Sequence, residues 1–219
     1  PLDLSAASDP AGLAASLADR GAAALPGGTV RLAPGRYGPV PRLPGYESGT
    51  WWVQGAAAAL PARILAAYFG ADRATRGALP TPADAHVVDL CAAPGGKTAQ
   101  LVAAGFGRVT AVERSDRRSR RLAENLARLR MADGVDVVVG DGGTWTPPDN
   151  GTVHAVLLDA PCSATGTAAR RPDVLWGSGA TDELLHTQRT LSRHCLTNVL
   201  GAGGCLVYAT CSLQREEGE

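Results

Sequence analysis

A glycine-rich turn between an apolar run and a helix-forming segment constrains the fold of this chain more than any other feature. Residues 87–98 read VVDLCAAPGGKT, and residues 98–104 then favour a helix. In an open α/β sheet such a turn lies at the carboxyl end of a strand, where backbone N–H groups and a helix start face a ligand. A nucleotide-like ligand is therefore expected.

A regular alternation of strands and helices begins at residue 86. The hydrophobic patterns predict strands at 86–90, 108–112, 135–139, 153–158 and 205–208, and helices at 98–104, 116–130 and 182–200. Ser115 and Thr181 are the N-cap candidates of the last two helices. This alternation predicts the α/β class with a doubly wound, mostly parallel Rossmann-like sheet.

The first 49 residues are richer in Pro and Gly and predict a small α+β subdomain. We expect two domains, a partial small α+β subdomain at 1–49 and a Rossmann-like domain at 50–219. The local predictions are a helix at 9–20 capped by Ser8 and ended by Gly21, strands at 29–32 and 51–54, a helix at 56–68, and core positions for Trp51 and Trp52.

Composition excludes several classes of protein. The 219 residues are 45% hydrophobic, enough for a sizeable core, and 21 basic residues balance 21 acidic ones, so only local patches could hold nucleic acid. The 5 cysteines form no CxxC pair and no zinc-site spacing, so we expect no metal. Dispersed thiols in an odd number indicate a reducing compartment. Without a signal-like or membrane-spanning run, a cytoplasmic protein with no membrane partner is expected.

Polar and thiol side chains follow the predicted strands, at the edge where ligands bind in such sheets. They are residues 91–97, Glu113 with Arg114, Gly140 with Asp141, 159–163 and 210–212. Glu113 lies about 20 residues past the turn, where a carboxylate can accept hydrogen bonds from both ribose hydroxyls. Asp141 suits an adenine amino group or the amino acid portion of a ligand, and an Asx turn is its alternative explanation.

Two nucleotide classes compete for the turn. Residues 91–98 end in Gly-Lys-Thr as a Walker A loop does, and residues 155–159 could serve as a Walker B strand. However, Cys91 replaces the first required glycine, and Pro94 removes a backbone N–H from a loop that should surround phosphate. An adenosine cofactor without a triphosphate is favoured, and a P-loop-like nucleotidase is the alternative.

Two of the thiols stand at the predicted ligand edge. Cys162 follows Asp159-Ala160-Pro161, and Cys211 follows Thr210, so each lies in an exposed turn after a strand, where a thiolate could be activated. Cys195 and Cys205 fall inside a predicted helix and strand and are expected to be inert core residues.

Long motifs give the chain a family resemblance. They are LPGYESG at 43–49 with Gln54, DLCAAPGGKT at 89–98, DAPCSATG at 159–166 running on to RPD at 171–173, and YATCS at 208–212. With these motifs the chain resembles the Sun (Fmu/RsmB-type) family of S-adenosylmethionine-dependent RNA cytosine-5 methyltransferases. The resemblance implies S-adenosylmethionine as cofactor and RNA as partner, with small-subunit ribosomal RNA as the expected substrate. It also implies that residues 1–49 are a partial RNA-binding subdomain and residues 50–219 a methyltransferase domain. The target base must leave its stack, so single-stranded or loop RNA is expected.

The resemblance also implies roles for individual residues. Cys211 would be the nucleophile that adds to carbon 6 of cytosine, and Cys162 would assist product release. Asp159 would hydrogen-bond the Watson–Crick edge of the base. Lys97 is also predicted to be a catalytic residue. The predicted cofactor-binding residues are Cys91, Ala92, Ala93, Pro94, Gly95, Gly96, Lys97, Glu113, Arg118, Asp141 and Asp159.

Basic residues near these motifs are candidates for RNA contacts. Arg170 and Arg171 follow the Pro-Cys motif and are predicted to touch phosphate, whereas the arginines at 117–121 are interpreted as a solvated helix face. The family normally continues beyond the strand that carries Cys211 and has a helical N-terminal domain, so we expect a truncated chain. A monomer is expected, and a non-catalytic RNA-binding or assembly factor is the further alternative.

Overall fold

The computed structural model describes residues 1–71, 77, 79–148, 151–177 and 179–218. A small antiparallel sheet lies at the N-terminus, with the strand order β2-β3-β1-β4. Its strands are β1 (Leu2–Ala6), β2 (Ala23–Ala24), β3 (Thr29–Leu32) and β4 (Trp51–Val53). Helix α1 (Pro10–Ser16) packs on this sheet, and α2 (Ala56–Gly70) leads away from it.

The antiparallel sheet extends past the predicted domain boundary. Strand β4 pairs with β1, with Leu4 opposite Val53, so the boundary placed at residues 49 and 50 falls inside the sheet. Trp51 is fully buried in the core of this sheet, whereas Trp52 packs beside Ala92 and Ala93 of the glycine-rich turn. Both tryptophans are therefore packing anchors, as predicted, and Trp52 joins the small sheet to the turn.

The first helix differs from its prediction. The side chain of Asp9, not that of Ser8, caps α1 by accepting a hydrogen bond from Gly12 N at 2.9 Å. The helix begins with Pro10, which fits the first helical position because its missing N–H has no partner there. It ends at Ser16 and is followed by a 3₁₀ turn (Ala18–Arg20) that Gly21 terminates in the left-handed conformation.

The larger sheet has five parallel strands in the order β7-β6-β5-β8-β9. They are β5 (His86–Leu90), β6 (Arg108–Glu113), β7 (Val135–Val139), β8 (Ala155–Asp159) and β9 (Cys205–Ala209). The helices between them are α3 (Gly96–Ala103), α4 (Asp116–Arg128) and α5 (Asp182–His194), and a short α6 (Arg215–Gly218) follows β9. The predicted α/β class and mostly parallel sheet are confirmed, and Ser115 and Thr181 cap α4 and α5 as expected.

Helices cover both faces of the parallel sheet, which is why its central strands are continuously apolar. Leu157 packs with residues of α2 and α3 on one face, and Leu158 packs with Leu191 of α5 on the other. Both leucines are fully buried, and each contributes roughly 2 kcal/mol through the hydrophobic effect. Cys195 is also buried on the α5 side, where α5 continues as a π-helical turn (Cys195–Val199), and burial raises the pKa of its thiol to about 11.

The parallel strands bring the carboxyl ends of β5, β6, β8 and β9 to one edge of the sheet. The central position belongs to β5, so the glycine-rich turn that follows it lies between the ends of β6 and β8. Among the described residues, no helix combines the length and the apolar character that crossing a membrane requires.

Candidate active site

Two thiols meet where β8 and β9 end. Cys162 Sγ lies 3.2 Å from Cys211 Sγ, although the two residues are 49 positions apart in the chain. The loop after β8 is fastened to the loop after β9 by a backbone hydrogen bond from Gly166 N to Cys211 O at 2.9 Å. Leu213 N also donates to Thr165 Oγ1 at 2.9 Å. The two loops therefore hold the thiols in contact, and Cys211 is the more exposed of the pair.

The surroundings of the two sulfurs are not equivalent. Cys211 N donates a hydrogen bond to Cys162 Sγ at 3.3 Å. The hydrogen bond from the Cys211 thiol, together with backbone N–H groups of Cys211 and Ala164, lowers the pKa of Cys162 to about 6 against the effect of burial. The same contact with Cys162 raises the pKa of Cys211. These opposite shifts favour a thiolate on Cys162 that accepts a hydrogen bond from the Cys211 thiol.

An ion pair stands beside the thiols. Lys97 Nζ, at the start of α3, donates to Asp159 Oδ2 at the end of β8 over 2.7 Å. The lysine side chain is 13% exposed and that of the aspartate 35%, so the carboxylate keeps a face toward solvent or a ligand. The charges of both groups act on Cys211. The structure thus brings together all four predicted catalytic residues.

The turn after β5 is tightly folded against the protein. Gly95 has φ 98°, a left-handed conformation that suits glycine, and a Cβ atom there would lie 3.3 Å from Leu122 Cγ of α4. Ala92 N donates to Val112 O at 3.1 Å, and Gly95 N donates to Ala92 O at 2.8 Å. Pro94 has no N–H, so three backbone positions of this turn cannot offer a donor to a triphosphate. This geometry argues against a Walker A loop.

Glu113, at the end of β6, presents a carboxylate oxygen toward the same edge. Its side chain is 3% exposed, and Oε1 accepts a hydrogen bond from Ser115 N at 2.9 Å. Oε2 lies 3.3 Å from Arg118 Nη1 but accepts no hydrogen bond from the described residues. Arg118 Nη2 donates to Ala93 O at 2.7 Å and so ties this carboxylate to the turn. A buried acceptor without a donor suits a hydroxyl-bearing ligand such as a ribose.

Asp141, after β7, forms an Asx turn, which was the predicted alternative to a role in ligand binding. Its Oδ1 accepts a hydrogen bond from Gly143 N at 2.8 Å, which is an Asx turn, and the residue is exposed. Cys91 has φ 62° and is half-buried, and burial together with the charge of Glu113 raises the pKa of its thiol to about 12. Cys91 is therefore neutral in this turn. The cofactor roles of both residues stay predictions.

The two predicted RNA-binding arginines have different surroundings. Arg170 Nη2 lies 3.7 Å from Asp3 Oδ2 in the small sheet, where Arg31 already holds Asp3 through two hydrogen bonds of 2.7 and 2.9 Å. Arg171 pairs with Asp173 at 3.0 Å, and both partners are exposed. Arg170 thus links the Pro-Cys loop to the small sheet with about half of its side chain exposed, and phosphate contacts by either arginine stay a prediction.

Sequence reasoning missed two buried carboxylates close to the ion pair and the thiols. Asp89 in β5 is fully buried and accepts a hydrogen bond from Thr98 Oγ1 at 2.6 Å. Glu217 in α6 is 2% exposed and is hydrogen-bonded to Ser163, next to Cys162. Asp89 was within a recognised motif, but no local pattern signalled the burial of Glu217. Among the residues the structure describes, no cluster of His, Cys, Asp or Glu could hold a metal ion.

The amino-acid sequence matches a known family of rRNA methyltransferases. The family profile described as 16S rRNA methyltransferase RsmB/F matches residues 78–219. The curated "Ribosomal RNA small subunit methyltransferase B" of Sodalis glossinidius is 41% identical over 184 residues, which are 81% of this chain and 38% of the relative. The chain thus spans about two fifths of the length of such relatives.

Solved structures share the fold. A "Methyltransferase Homolog Protein" from Pyrococcus horikoshii is 25% identical with a TM-score of 0.74, and the match covers 99% of this chain and 66% of that one. NSun6 from the same organism, in a structure with SFG, is 30% identical with a TM-score of 0.63 over 82% of this chain and 42% of that one. Both the parallel sheet and the small subdomain therefore have structural relatives.

Proposed function

This chain belongs to the 16S rRNA methyltransferase RsmB/F family, and from that membership we propose that it transfers a methyl group from S-adenosylmethionine to carbon 5 of a cytosine in RNA, with small-subunit ribosomal RNA as substrate. The observation that carries the proposal is the contact of Cys162 and Cys211 beside the Lys97–Asp159 ion pair. A protein that only bound RNA would not need two thiols and a charged pair converging at one sheet edge.

The cofactor supplies an electrophilic methyl group on a sulfonium centre. The turn at residues 91–97 and the carboxylate of Glu113 would hold it, because Glu113 Oε2 is a buried acceptor to which none of the described residues donates a hydrogen bond. Arg118 keeps that carboxylate against the turn, and Asp141 borders the same edge. A triphosphate would find few free N–H groups here, since Ala92 N and Gly95 N are already bonded within the protein.

The thiols would make carbon 5 of the cytosine nucleophilic enough to accept a methyl group. Carbon 5 of cytosine is too weak a nucleophile until a sulfur adds at carbon 6. Cys211 passes its proton to the Cys162 thiolate, its S–H bond breaks, and a bond from its sulfur to carbon 6 forms. The electron pair of the carbon 5–carbon 6 double bond then becomes available at carbon 5. Asp159, held by Lys97, hydrogen-bonds the Watson–Crick edge, where it accepts from the proton that nitrogen 3 takes from water as the sulfur adds and returns to water when the sulfur leaves.

Release of the product uses the same pair in reverse. After carbon 5 has gained the methyl group, its proton leaves to water and the sulfur–carbon 6 bond breaks. Cys162 returns its proton to the departing Cys211 sulfur, which restores the original thiolate and thiol. The 3.2 Å separation suits this transfer in both directions, because it is within the reach of a direct sulfur-to-sulfur proton transfer.

The test is methyl transfer from labelled S-adenosylmethionine to total and ribosomal RNA, with denaturing gels to detect covalent protein–RNA adducts. We expect the wild-type chain to methylate RNA and Cys211→Ala to be inactive without adduct. Cys162→Ala should form the adduct more slowly, with water taking the Cys211 proton, and release it more slowly still, so that adduct accumulates. A wild-type chain that binds RNA without methylating it would make this a binding or assembly factor. Tight ATP binding without S-adenosylmethionine binding would revive the nucleotidase.

One observation favours an exchange of roles between the thiols. The lowered pKa of Cys162 favours its thiolate, which is the nucleophilic form and would need no proton transfer before attack. If adduct persists in Cys211→Ala and disappears in Cys162→Ala, then Cys162 is the attacking residue. Because Cys211 is more exposed than Cys162, we retain Cys211 as the nucleophile.

A further inference from the structure

A buried carboxylate fastens the two thiol-bearing loops to each other. Glu217, in α6, is 2% exposed, and its Oε1 accepts a hydrogen bond from Ser163 N at 2.8 Å. Its Oε2 accepts a second bond from Ser163 Oγ. Ser163 Oγ in turn lies 2.9 Å from Ser212 Oγ. Ser163 directly follows Cys162 and Ser212 directly follows Cys211, so a single carboxylate is joined to the neighbours of both thiols.

The carboxylate is itself held from two further elements. Gln188 of α5 donates from Nε2 to Glu217 Oε1 and to Pro161 O, each at 2.9 Å. Tyr208 of β9 donates its hydroxyl to Glu217 O at 3.0 Å. Gln188 is 4% exposed, so this second support is also buried. Glu217 is therefore anchored to a helix and a strand of the fold and not only to the loops that it joins.

The hydrogen bonds keep this buried group ionised. Burial raises the pKa of Glu217, but the hydrogen bonds from Ser163, Ser212 and Gln188 outweigh burial and bring its pKa below the ordinary value. An ionised acceptor makes shorter and stronger bonds than a neutral one. Removing it would leave the Ser163 N–H and one of the two donors of the Gln188 amide without an acceptor in a buried place.

We propose that Glu217 is a positioning residue that sets the distance between the sulfurs of Cys162 and Cys211. The inference rests on the proposed function, in which both thiols take part in methyl transfer. Glu217 touches neither sulfur in the structure and acts through Ser163 and Ser212, each one peptide bond from a thiol residue. Its loss would remove a buried tie between the loop after β8 and the loop after β9, beside the direct bonds from Gly166 N and Leu213 N, and would leave the two sulfurs freer to separate.

The distance between the sulfurs can be probed without RNA or cofactor. Phenylarsine oxide binds two neighbouring thiols: each S–H bond breaks, two arsenic–sulfur bonds form, and the oxygen leaves as water without any oxidation or reduction. The probe requires sulfurs that one arsenic atom can bridge, and the 3.2 Å separation meets that requirement. We expect the wild-type chain to bind one equivalent tightly, and Cys162→Ala and Cys211→Ala to define the background from the other thiols.

The decisive variants are Glu217→Ala and Glu217→Gln, with Glu216→Ala as the matched control, because Glu216 is an exposed neighbour in the same helix. We expect Glu217→Ala to weaken phenylarsine oxide binding about tenfold or more. The loss of a buried hydrogen-bond acceptor destabilises the paired loops by a free energy that corresponds to at least about a tenfold change in affinity. Glu217→Gln keeps the shape and one acceptor oxygen and should recover part of the affinity. In the methylation assay, Glu217→Ala should lower kcat and leave the KM for S-adenosylmethionine unchanged.

The unfolding midpoint of each variant is measured alongside. If Glu217→Ala does not fold, the comparison passes to Glu217→Gln and to Ser163→Ala, which removes the hydroxyl donor from the loop side. Wild-type affinity in the folded Glu217 variants would overturn the proposal, as would an equal loss in Glu216→Ala. A wild-type chain that binds the arsenical but never methylates RNA would refute the proposed function alone.

Discussion

Lys97 Nζ and Asp159 Oδ2 lie 2.7 Å apart, and this ion pair joins the turn after β5 to the end of β8. The two residues are 62 positions apart in the chain. Their contact fixes the carboxylate that faces the thiol pair, because the partly buried ammonium leaves it little freedom to rotate. The pair therefore connects the turn that we propose holds the cofactor with the thiols that we propose act on the base.

Replacing Lys97 by methionine should lower kcat/KM about 10- to 100-fold, because it leaves Asp159 partly buried without its cation. The measurement is labelled methyl transfer at varied RNA concentration. Arg121→Met, which removes an exposed basic side chain from α4, is the control and should retain wild-type activity. Equal activities of the two variants would contradict a role for the ion pair.

The Glu113 carboxylate should contribute to cofactor affinity. Glu113→Gln replaces the charged acceptor by a neutral amide, and we expect S-adenosylmethionine to bind about 10- to 100-fold more weakly by isothermal titration calorimetry. Glu124→Gln changes an exposed carboxylate on α4 and should bind like wild type. Unchanged affinity in Glu113→Gln would place the ribose elsewhere.

The reactivity of Cys162 should rise at unusually low pH. Its pKa is lowered to about 6, so the thiolate forms as pH rises through 6, well below the pH at which an ordinary thiol ionises. Alkylation by iodoacetamide, followed by peptide mass spectrometry, should show a midpoint near that value. In Cys211→Ala the midpoint should move upward, because the donor to Cys162 Sγ is lost. Earlier alkylation of Cys211 would reverse the charge assignment.

Buried Asp89 should make stability fall as pH rises. Burial raises its pKa from 3.8 to about 7, so the folded state binds more protons than the unfolded state between those values. The stabilising effect of low pH is complete below the unfolded pKa and is lost as pH rises through the folded one. Urea unfolding at pH 5 and 8 should show Asp89→Asn gaining about 2 kcal/mol relative to wild type at the higher pH. Exposed Asp136→Asn should show no such gain.

The contact between the small sheet and α4 should tolerate no side chain at Gly49. Gly49 has φ 72°, and a Cβ there would lie 2.2 Å from Arg128 O. Gly35 has φ 75° with open space around it, so Gly35→Ala isolates the cost of the backbone conformation. Chemical unfolding should show Gly49→Ala at least about 1 kcal/mol less stable than Gly35→Ala. Equal stabilities would mean that the small sheet and α4 can move apart at little cost in the free energy of unfolding.

Some predictions of helix caps and element ends were wrong because the sequence allowed two structures equally well. Ser8 and Asp9 are both good helix caps, and Asp9 was chosen because Pro10 fits the first helical position. The pairing of β4 with β1 across the expected boundary at residues 49 and 50 was not predicted, because β4 is short and this pairing leaves no mark in its own residues. The helix predicted over 182–200 ends as a regular α-helix at His194 and continues as a π-helical turn.

The sequence by itself determined the α/β class, the strands of the parallel sheet and the edge at which the chemistry lies, because periodicity and turn residues are local and the carboxyl ends of parallel strands share one side. It also determined the family, since its motifs are long. Only the tertiary structure decided that Cys162 and Cys211 touch, that Lys97 is held by Asp159, and that Glu217 is buried between two loops. These contacts depend on which strands are neighbours in the sheet and on how far each loop turns back, and residues dozens of positions apart carry no local signal of either.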